Sequence, residues 1–269
     1  MSYQQSYKFK GKLFNVSYKV YLISKLKLPN SLNLTLDELG LSSKELEVVL
    51  VKPNICGLYP PDLKLLKALL DYVVEISELT VIGETESTMY KPKERFLELG
   101  ITNLVNAYSG RVRVSDLSEG DKVKVNVPNP RSVRYFRLPK LIFDADYIVN
   151  LARIGSHPST IVTAALKNLF GLVAEKFKYF KYHPRGIDKV IADVAKVIKP
   201  NLNIVEVSDK VLVSDDALAV DIIATRMFGV NPLNVKHFRI VAEDRGEDLK
   251  EVVNEIEVIN TQSSNSITL

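Results

Sequence analysis

The stretch DYIVNLARIGSHPSTIVTAALKNLFG, which covers residues 146–171, decides the fold. Its first part, DYIVNLA (146–152), is an almost continuous apolar run, of the kind found in strands buried on both faces of a sheet. The rest predicts a loop and then a helix from about Pro158 to Phe170, because proline suits the first helical turn and Gly171 suits the position after the last. A buried strand followed by a helix is the unit from which parallel α/β sheets are built.

Three more apolar runs of the same kind lie on either side of this stretch, namely LEVVLVK (46–52), LTVIG (79–83) and NLNIVEV (201–207). Helical patterns lie between and after them, at about 61–76, 91–99, 189–199 and 217–228. Buried strands that alternate with helices predict an α/β fold, with a mostly parallel sheet flanked by helices and joined by right-handed crossovers.

The segment 101–139 has a different pattern. RVRVSDL (111–117) and DKVKVNVPNP (121–130) alternate polar and apolar residues, which is typical of half-exposed antiparallel strands. We therefore predict an antiparallel β insertion, or a second small sheet, over 101–139 and outside the parallel sheet.

The predicted organisation has three parts. Residues 1–45 form an N-terminal extension, 46–245 an α/β domain that contains the insertion, and 246–269 a C-terminal segment. The last residues, TQSSNSITL, are polar and predict a frayed tail.

The charge of the chain is close to balanced. Lys and Arg total 36 against 32 Asp and Glu, a formal net charge of +4 over 269 residues. Nucleic-acid binding proteins concentrate basic charge more strongly, so a nucleic-acid partner is not expected. The small excess fits an anionic small-molecule ligand, and equally no anion at all.

The composition also limits the chemistry and the location. The chain has one cysteine, Cys56, so it cannot form an internal disulfide, and it cannot hold an iron–sulfur cluster or a thiolate zinc site alone. The first residues lack a signal-peptide core, and the apolar runs are too short to cross a bilayer. We expect a cytoplasmic protein without a membrane partner. Few Gln, no Trp and abundant Lys, Glu, Val and Ile give a thermophile-like balance.

Polar side chains recur where the predicted strands end. In parallel sheets, ligands bind beyond the carboxyl ends of the strands. The residues at or after the four strand ends are Lys52 and Asn54, Glu84, His157, and Glu206 with Asp209. A binding site would have this pattern, although polar residues also occur wherever strands meet loops.

The predicted helix at 158–170 has an unusual polar face. On it lie small or hydroxylated residues and a single charge, contributed by Thr160, Thr163, Ala164, Lys167 and Gly171. A backbone or a ligand must pack closely on such a face. Helix N-termini attract anions, and Lys167 could reach a phosphate or carboxylate. The alternative is tight helix–sheet packing, with the ammonium of Lys167 extending into solvent.

Two other segments carry candidate groups. In SDDALAVDIIATRMFG (214–229), Asp216 suits a helix N-cap, whereas Asp221 is partly buried and needs a base, a backbone donor or a metal as its partner. In KFKYFKYHPRG (176–186), basic and aromatic residues alternate. This segment, with His183, could stack bases, but it is more typical of a surface flap with its aromatic rings tucked under.

These motifs resemble the family catalogued as domain of unknown function 362, over about residues 48–241. The stretch from 144 to 171 is similar to the family's strand, lysine–threonine–histidine loop and threonine-to-lysine–asparagine helix. The resemblance of VVLVKPN (48–54) carries over Lys52 and Asn54, and that of VSDDALAVDIIATRMFG (213–229) carries over Asp216 and Asp221.

The chain departs from the family pattern at three places. Gly155 stands where a second lysine is usual, and Arg153 where the first would be. The acid that ends the fourth strand is Glu206, and a long glycine-rich loop is shortened to SDKVLV (208–213). Many relatives also carry ferredoxin-like iron–sulfur modules, which a chain with one cysteine cannot form. The resemblance implies a fold and a site, but no agreed reaction.

Two functions remain open. The first is an enzyme acting on a phosphorylated or carboxylated small molecule, with His157 as general acid or base and Lys167 in the catalytic pair. Asp216 and Asp221 would orient a lysine or bind a divalent metal ion; any other cofactor is unknown. The second is a non-catalytic module that binds a ligand or a separate redox partner. The predicted ligand-binding residues are Lys52, Asn54, Thr163, Asn168, Glu84 and Glu206.

Overall fold

The computed structural model of the chain describes residues 18–261 and 266–267. The strands are β1 (Tyr18–Ser24), β2 (Leu46–Pro53), β3 (Ser77–Glu84), β4 (Val112–Asp116), β5 (Lys122–Asn126), β6 (Tyr135–Pro139), β7 (Tyr147–Arg153), β8 (Gly155–His157), β9 (Ile161–Thr163), β10 (Leu202–Val207), β11 (Lys210–Ser214), β12 (Ile256–Asn260) and β13 (Ser266–Ile267). The helices are α1 (Asn30–Glu38), α2 (Leu63–Val73), α3 (Pro92–Glu98), α4 (Ile101–Val105), α5 (Leu141–Asp144), α6 (Ala165–Phe170), α7 (Lys178–Tyr182), α8 (Ile187–Val197), α9 (Ala217–Met227), α10 (Lys236–Arg245) and α11 (Leu249–Glu255).

One large sheet organises the molecule. In the described residues it has nine strands, in the order β13-β12-β1-β11-β10-β7-β2-β3-β4. The four predicted runs became β2, β3, β7 and β10, which are adjacent and parallel. Antiparallel pairs occur where β11 meets β10 and β1, and where β12 meets β13. The predicted α/β fold with a mostly parallel sheet is confirmed.

Helices cover both faces of this sheet, as long parallel strands require. On one face, side chains such as Leu50 and Val205 pack against α6, α8, α9 and α10. On the other face, Val49, Val51 and Ile204 pack against α1, α2, α3 and α4. Both sets of side chains are buried, so the sheet lies between two apolar cores. No helix in 18–261 is long and apolar enough to cross a membrane.

The predicted boundaries of the insertion were wrong. Residues 101–105 form α4, and residues 112–116 of the RVRVSDL segment form β4, which pairs in parallel with β3 at the edge of the main sheet. Alternation misled the prediction because an edge strand is half-exposed whatever its direction. The antiparallel pair is only β5 with β6, outside the main sheet.

The predicted start of the helix after β7 was also wrong. Residues 155–163 form a small antiparallel hairpin of β8 and β9, and the helix begins only at Ala165. The β-branched residues Thr160 to Thr163 favour a strand over a helix, and this preference outweighs the signal from Pro158. The shared helical face predicted for Thr160 and Lys167 therefore does not exist.

The sheet takes in strands from both flanking segments. β1 pairs with β11, and β12 pairs in parallel with β1. The predicted division into an extension, a domain and a C-terminal segment stays a prediction. Most of the predicted frayed tail lies outside the described residues.

Candidate functional site

A row of polar side chains crosses the buried centre of the sheet. Lys52 on β2 is in register with Asn150 on β7, which is in register with Asn203 on β10. All three are almost completely buried. The amide of Asn150 donates to the side-chain oxygen of Asn203 at 2.9 Å and to the carbonyl oxygen of Ala165 at 3.0 Å. The row thus satisfies its own polar groups and anchors the start of α6.

Asn168 attaches the middle of α6 to this row. Its amide donates to Oδ1 of Asn150 at 2.7 Å and to the backbone oxygens of Lys52 and Leu151, both at 3.2 Å. Its own Oδ1 accepts a hydrogen bond from the ammonium of Lys52. The predicted ligand-binding amide is therefore occupied by the protein, and it fixes α6 over the ends of β2 and β7.

Asp221 holds the first turn of α6 from the neighbouring helix α9. Its two oxygens accept hydrogen bonds from the amides of Ala165 at 2.7 Å and Leu166 at 2.8 Å. Burial raises the pKa of this carboxyl to about 7, although the two backbone donors act against the rise. Of the partners considered from sequence, the structure selects the backbone donor.

Asp216, the other carboxylate considered for a metal, caps α9. It accepts a hydrogen bond from the amide of Ala219 at 2.8 Å and forms an ion pair with Arg245 at 2.8 Å. In residues 18–261, no group of three or more His, Cys, Asp or Glu side chains is arranged to hold a metal ion. The metal role stays a prediction, and the contacts of Asp216 and Asp221 are those of helix caps.

A cleft of about 230 Å³ opens at the carboxyl ends of β2 and β3, beside α6 and α7. Seven of the residues singled out from sequence line it, although they come from distant parts of the chain: Lys52, Asn54, Glu84, His157, Thr163, Lys167 and Asn168. The strand-end rule thus located the cleft. The roles of these residues remain predictions.

Lys52 lies at the buried floor of the cleft with all its donors used. Its ammonium donates to Glu84 at 2.8 Å and to the carbonyl oxygen of Pro53 at 3.0 Å, and it also donates to Asn168. The ammonium has three protons and three acceptors. Lys52 therefore supports the site rather than offering a free donor to a ligand.

Lys167 is different, because its charge has no partner in the part of the chain that the structure describes. Within 18–261, no residue forms a hydrogen bond or an ion pair with its ammonium. Burial, with the charge of Lys52 nearby, lowers the pKa of Lys167 to about 8. Lys167 is the one lysine of the cleft whose donors are all available.

Lys178 is the cleft residue that the sequence did not reveal. Its ammonium donates to the hydroxyl of Thr85 at 2.6 Å and to the carbonyl oxygen of Gly171 at 3.1 Å, and neither group is charged. Burial lowers the pKa of Lys178 to about 8. The sequence did contain a signal for the burial of Lys178. Lys178 and Tyr182 lie four residues apart, a helical spacing, and both are buried on one side of α7. The alternating pattern of the segment concealed it.

Two histidines stand in the cleft wall. Burial, followed by the charges of Lys167 and His183, lowers the pKa of His157 to about 4, so its imidazole is neutral at pH 7. Burial also lowers the pKa of His183, whose ring lies 4.0 Å from that of Tyr179 between centroids. The segment predicted as a surface flap thus contributes Tyr179 and His183 to the cleft. The third histidine, His237, does not line the cleft and is hydrogen-bonded to Asp188.

Glu206 does not join the other predicted residues. Its strand neighbours Val205 and Val207 pack on the α6 side of the sheet, so Glu206 lies on the opposite face from Lys52. There it is buried, accepts hydrogen bonds from Lys25 and from the amide of Asp62, and lies 3.7 Å from Arg153. Its contacts are those of a structural ion-pair group.

Gly155, which stands where the resemblance led us to expect a lysine, is explained by an aromatic ring. A Cβ atom at Gly155 would lie 2.2 Å from Cδ2 of Tyr59, so no side chain fits there. Tyr59 lines the cleft, and its hydroxyl lies 3.2 Å from that of Ser156. A tyrosine ring therefore occupies the space beside the hairpin.

Cys56 lines the same cleft but is not an activated thiol. Burial, followed by the charge of Glu84, raises its pKa to about 12. The thiol is therefore protonated at neutral pH, and a protonated thiol is a poor nucleophile.

Comparison with known proteins places this arrangement in a family. An 80-residue stretch is 35% identical to part of the thylakoid-associated protein sll1697 of Synechocystis sp., and it covers 28% of this chain and 25% of that protein. The chain thus matches about a quarter of the length of this relative. The model of the family described as "Domain of unknown function (DUF362)" matches residues 49–209, which are more than half of the chain and include every residue that lines the cleft. The chain therefore belongs to the family of domain of unknown function 362.

Proposed function

We propose that the cleft binds a small anionic molecule, a phosphate or a carboxylate, at the ammonium of Lys167. The observation that carries the proposal is that this ammonium has no partner among residues 18–261. Removing a cation from water costs free energy unless a counter-charge replaces the water. A bound anion would supply that counter-charge, and Lys167 would hold it with a charge-assisted hydrogen bond.

The charge balance of the cleft supports the same proposal. Three lysines line it against the single carboxylate of Glu84, which pairs with Lys52. The histidines do not restore the balance, because their lowered pKa values leave them neutral at pH 7. A bound anion would raise the pKa values of Lys167 and Lys178 from about 8, so binding near pH 8 should take up protons.

The lowered pKa of Lys167 adds support for an enzyme, because a lysine with a pKa near 8 can exchange a proton near neutral pH. The imidazole of His157 is a weak base while its pKa is about 4, and a bound anion beside it would raise that pKa. We propose Lys167 as the proton donor to a bound substrate and His157 as the acceptor. Lys52, Asn168 and Glu84 would position α6 and the strand ends around it.

Thermal melts across a series of phosphate concentrations test the anion site. The wild type should gain about 2.7 kcal/mol at a hundredfold excess over the dissociation constant. Lys167→Met should lose this gain, whereas Lys64→Met, which alters an exposed lysine on α2, should keep it. Equal shifts in all three proteins would contradict the proposal, because phosphate would then act through general ionic effects.

A non-catalytic module that binds a redox partner is the second candidate. It is supported by large apolar side chains beside the cleft that are mostly exposed, including Leu58 and Met89. A calorimetric titration with a small ferredoxin tests it. Binding to the wild type but not to Phe180→Ser would support a partner surface, and the absence of heat would count against it.

A further inference from the structure

Exposed apolar side chains surround the cationic cleft. Leu58, Met89 and Tyr179 line the cleft and are 58%, 69% and 48% exposed. Phe177 and Phe180, on the segment that carries Lys178 and Tyr179, are 75% and 65% exposed. We call these five residues the apolar rim. Large apolar groups gathered in one place on a surface mark a binding site more often than scattered ones do.

The backbone is strained at one member of the apolar rim. Phe177 has a φ of +55°. Bulky residues rarely adopt positive φ, and such conformations persist only where the surrounding structure imposes them. Here the conformation leaves the Phe177 ring in solvent while the next residue, Lys178, is buried in the cleft. The segment thus directs a cation inward and apolar rings outward.

The polarity of the cleft therefore changes with depth. Lys52 and Lys178 are 1% and 7% exposed, whereas every member of the apolar rim is about half exposed or more. The aromatic side chains of Tyr90 and Phe170 also line the cleft, and Phe170 is as buried as Lys178. A bare inorganic anion would use only the deep part and leave the apolar rim in water.

Resting on the proposed function, we infer that the ligand is an amphipathic anion. A phosphate or carboxylate head would bind the ammonium of Lys167, and an apolar body would leave the cleft over the apolar rim. Binding sites of this type join a few convergent polar groups to a largely apolar wall. The apolar body would cover Met89 and Phe180, whose side chains are 69% and 65% exposed.

Isothermal titration with inorganic phosphate and with monomeric n-octyl phosphate tests the inference. The octyl ester should bind the wild type at least about tenfold more tightly, a gain that burial of roughly two methylene groups supplies. The double variant Met89→Ser with Phe180→Ser should lose that preference and keep its affinity for inorganic phosphate. Leu34→Ser, which removes an equally exposed leucine from α1, should behave as the wild type. Lys167→Met should weaken the binding of both ligands.

The outcomes separate the two proposals. Equal affinity for both ligands in the wild type would overturn the amphipathic ligand and leave the anion site standing. Failure of both to bind would overturn both. A second experiment distinguishes a membrane lipid from a soluble ester as the natural ligand. The protein is sedimented with vesicles of neutral phospholipid, with and without added anionic phospholipid. If the wild type sediments with anionic vesicles and the apolar-rim variant does not, the ligand is a membrane lipid. If the wild type binds octyl phosphate but does not sediment with vesicles, the ligand is a soluble ester.

Discussion

At the scale of single residues, the partner of each lysine decides what that lysine does. Lys52 is buried and has three acceptors, including the carboxylate of Glu84. Lys167 lies in the same cleft and has none among the described residues. The same side chain is thus a structural element at one position and a free ligand donor at the other.

This difference predicts opposite effects of one substitution. Lys52→Met should lower the free energy of unfolding by about 3–5 kcal/mol, because it leaves the buried Glu84 without its counter-charge. Lys167→Met should leave the free energy of unfolding unchanged or raise it, because no partner among residues 18–261 is lost and a partly buried charge with a lowered pKa is removed. Urea unfolding at pH 7 without added anions measures both. A large loss in Lys167→Met would show that its ammonium has a partner in the native protein.

At the scale of elements, α6 depends on its neighbours. It has six residues, and no side chain of its own caps its first turn. A helix this short is not stable alone. Asp221 of α9 supplies the cap, and Asn168 ties the helix to Asn150. Because α6 carries Lys167 and Asn168, the position of the cleft residues depends on this support.

We therefore expect Asp221→Ala to weaken both the fold and the site. It leaves two buried amides without acceptors, which should cost at least about 2 kcal/mol of unfolding free energy. Asp216→Ala, which removes the half-buried cap of α9, should cost about 1 kcal/mol and is the matched control. Phosphate affinity should fall in Asp221→Ala and be retained in Asp216→Ala. The idea that α9 positions α6 would be wrong if Asp221→Ala bound phosphate as the wild type does.

At the scale of the whole molecule, the buried lysines make stability depend on pH. The pKa values of Lys167 and Lys178 are about 8 in the folded protein, below the ordinary value of 10.5 that applies to the unfolded chain. Between these values the unfolded chain binds more protons than the folded one. Stability therefore rises with pH in this window, and below about pH 8 the full cost of the buried charge remains.

Chemical unfolding between about pH 7.5 and pH 9.5 should show this rise. The wild type should gain about 2 kcal/mol relative to Lys167→Met over that range, since the variant lacks one of the two groups. Tyrosines do not interfere, because raised pKa values such as that of Tyr21, about 12, act only above about pH 10. Parallel pH curves for the two proteins would mean that the pKa of Lys167 is normal.

The sequence by itself determined the sheet and most of the cleft. Four β-branched runs became adjacent parallel strands because only strands buried on both faces need continuous apolar residues. The carboxyl ends of such strands meet at one edge, which is why Lys52, Glu84 and His157 could be expected together. These inferences rest on local patterns and on one general rule of topology.

The tertiary structure alone decided the rest. The direction of β4, the hairpin before α6 and the opposite face of Glu206 depend on which neighbours each segment meets, and a local pattern does not record neighbours. The pairing of charged side chains likewise depends on tertiary neighbours. Whether a lysine is paired depends on contacts between residues as distant as Lys52 and Asn168. Only the folded chain therefore shows that Lys52 is satisfied and that Lys167 has no partner among the described residues.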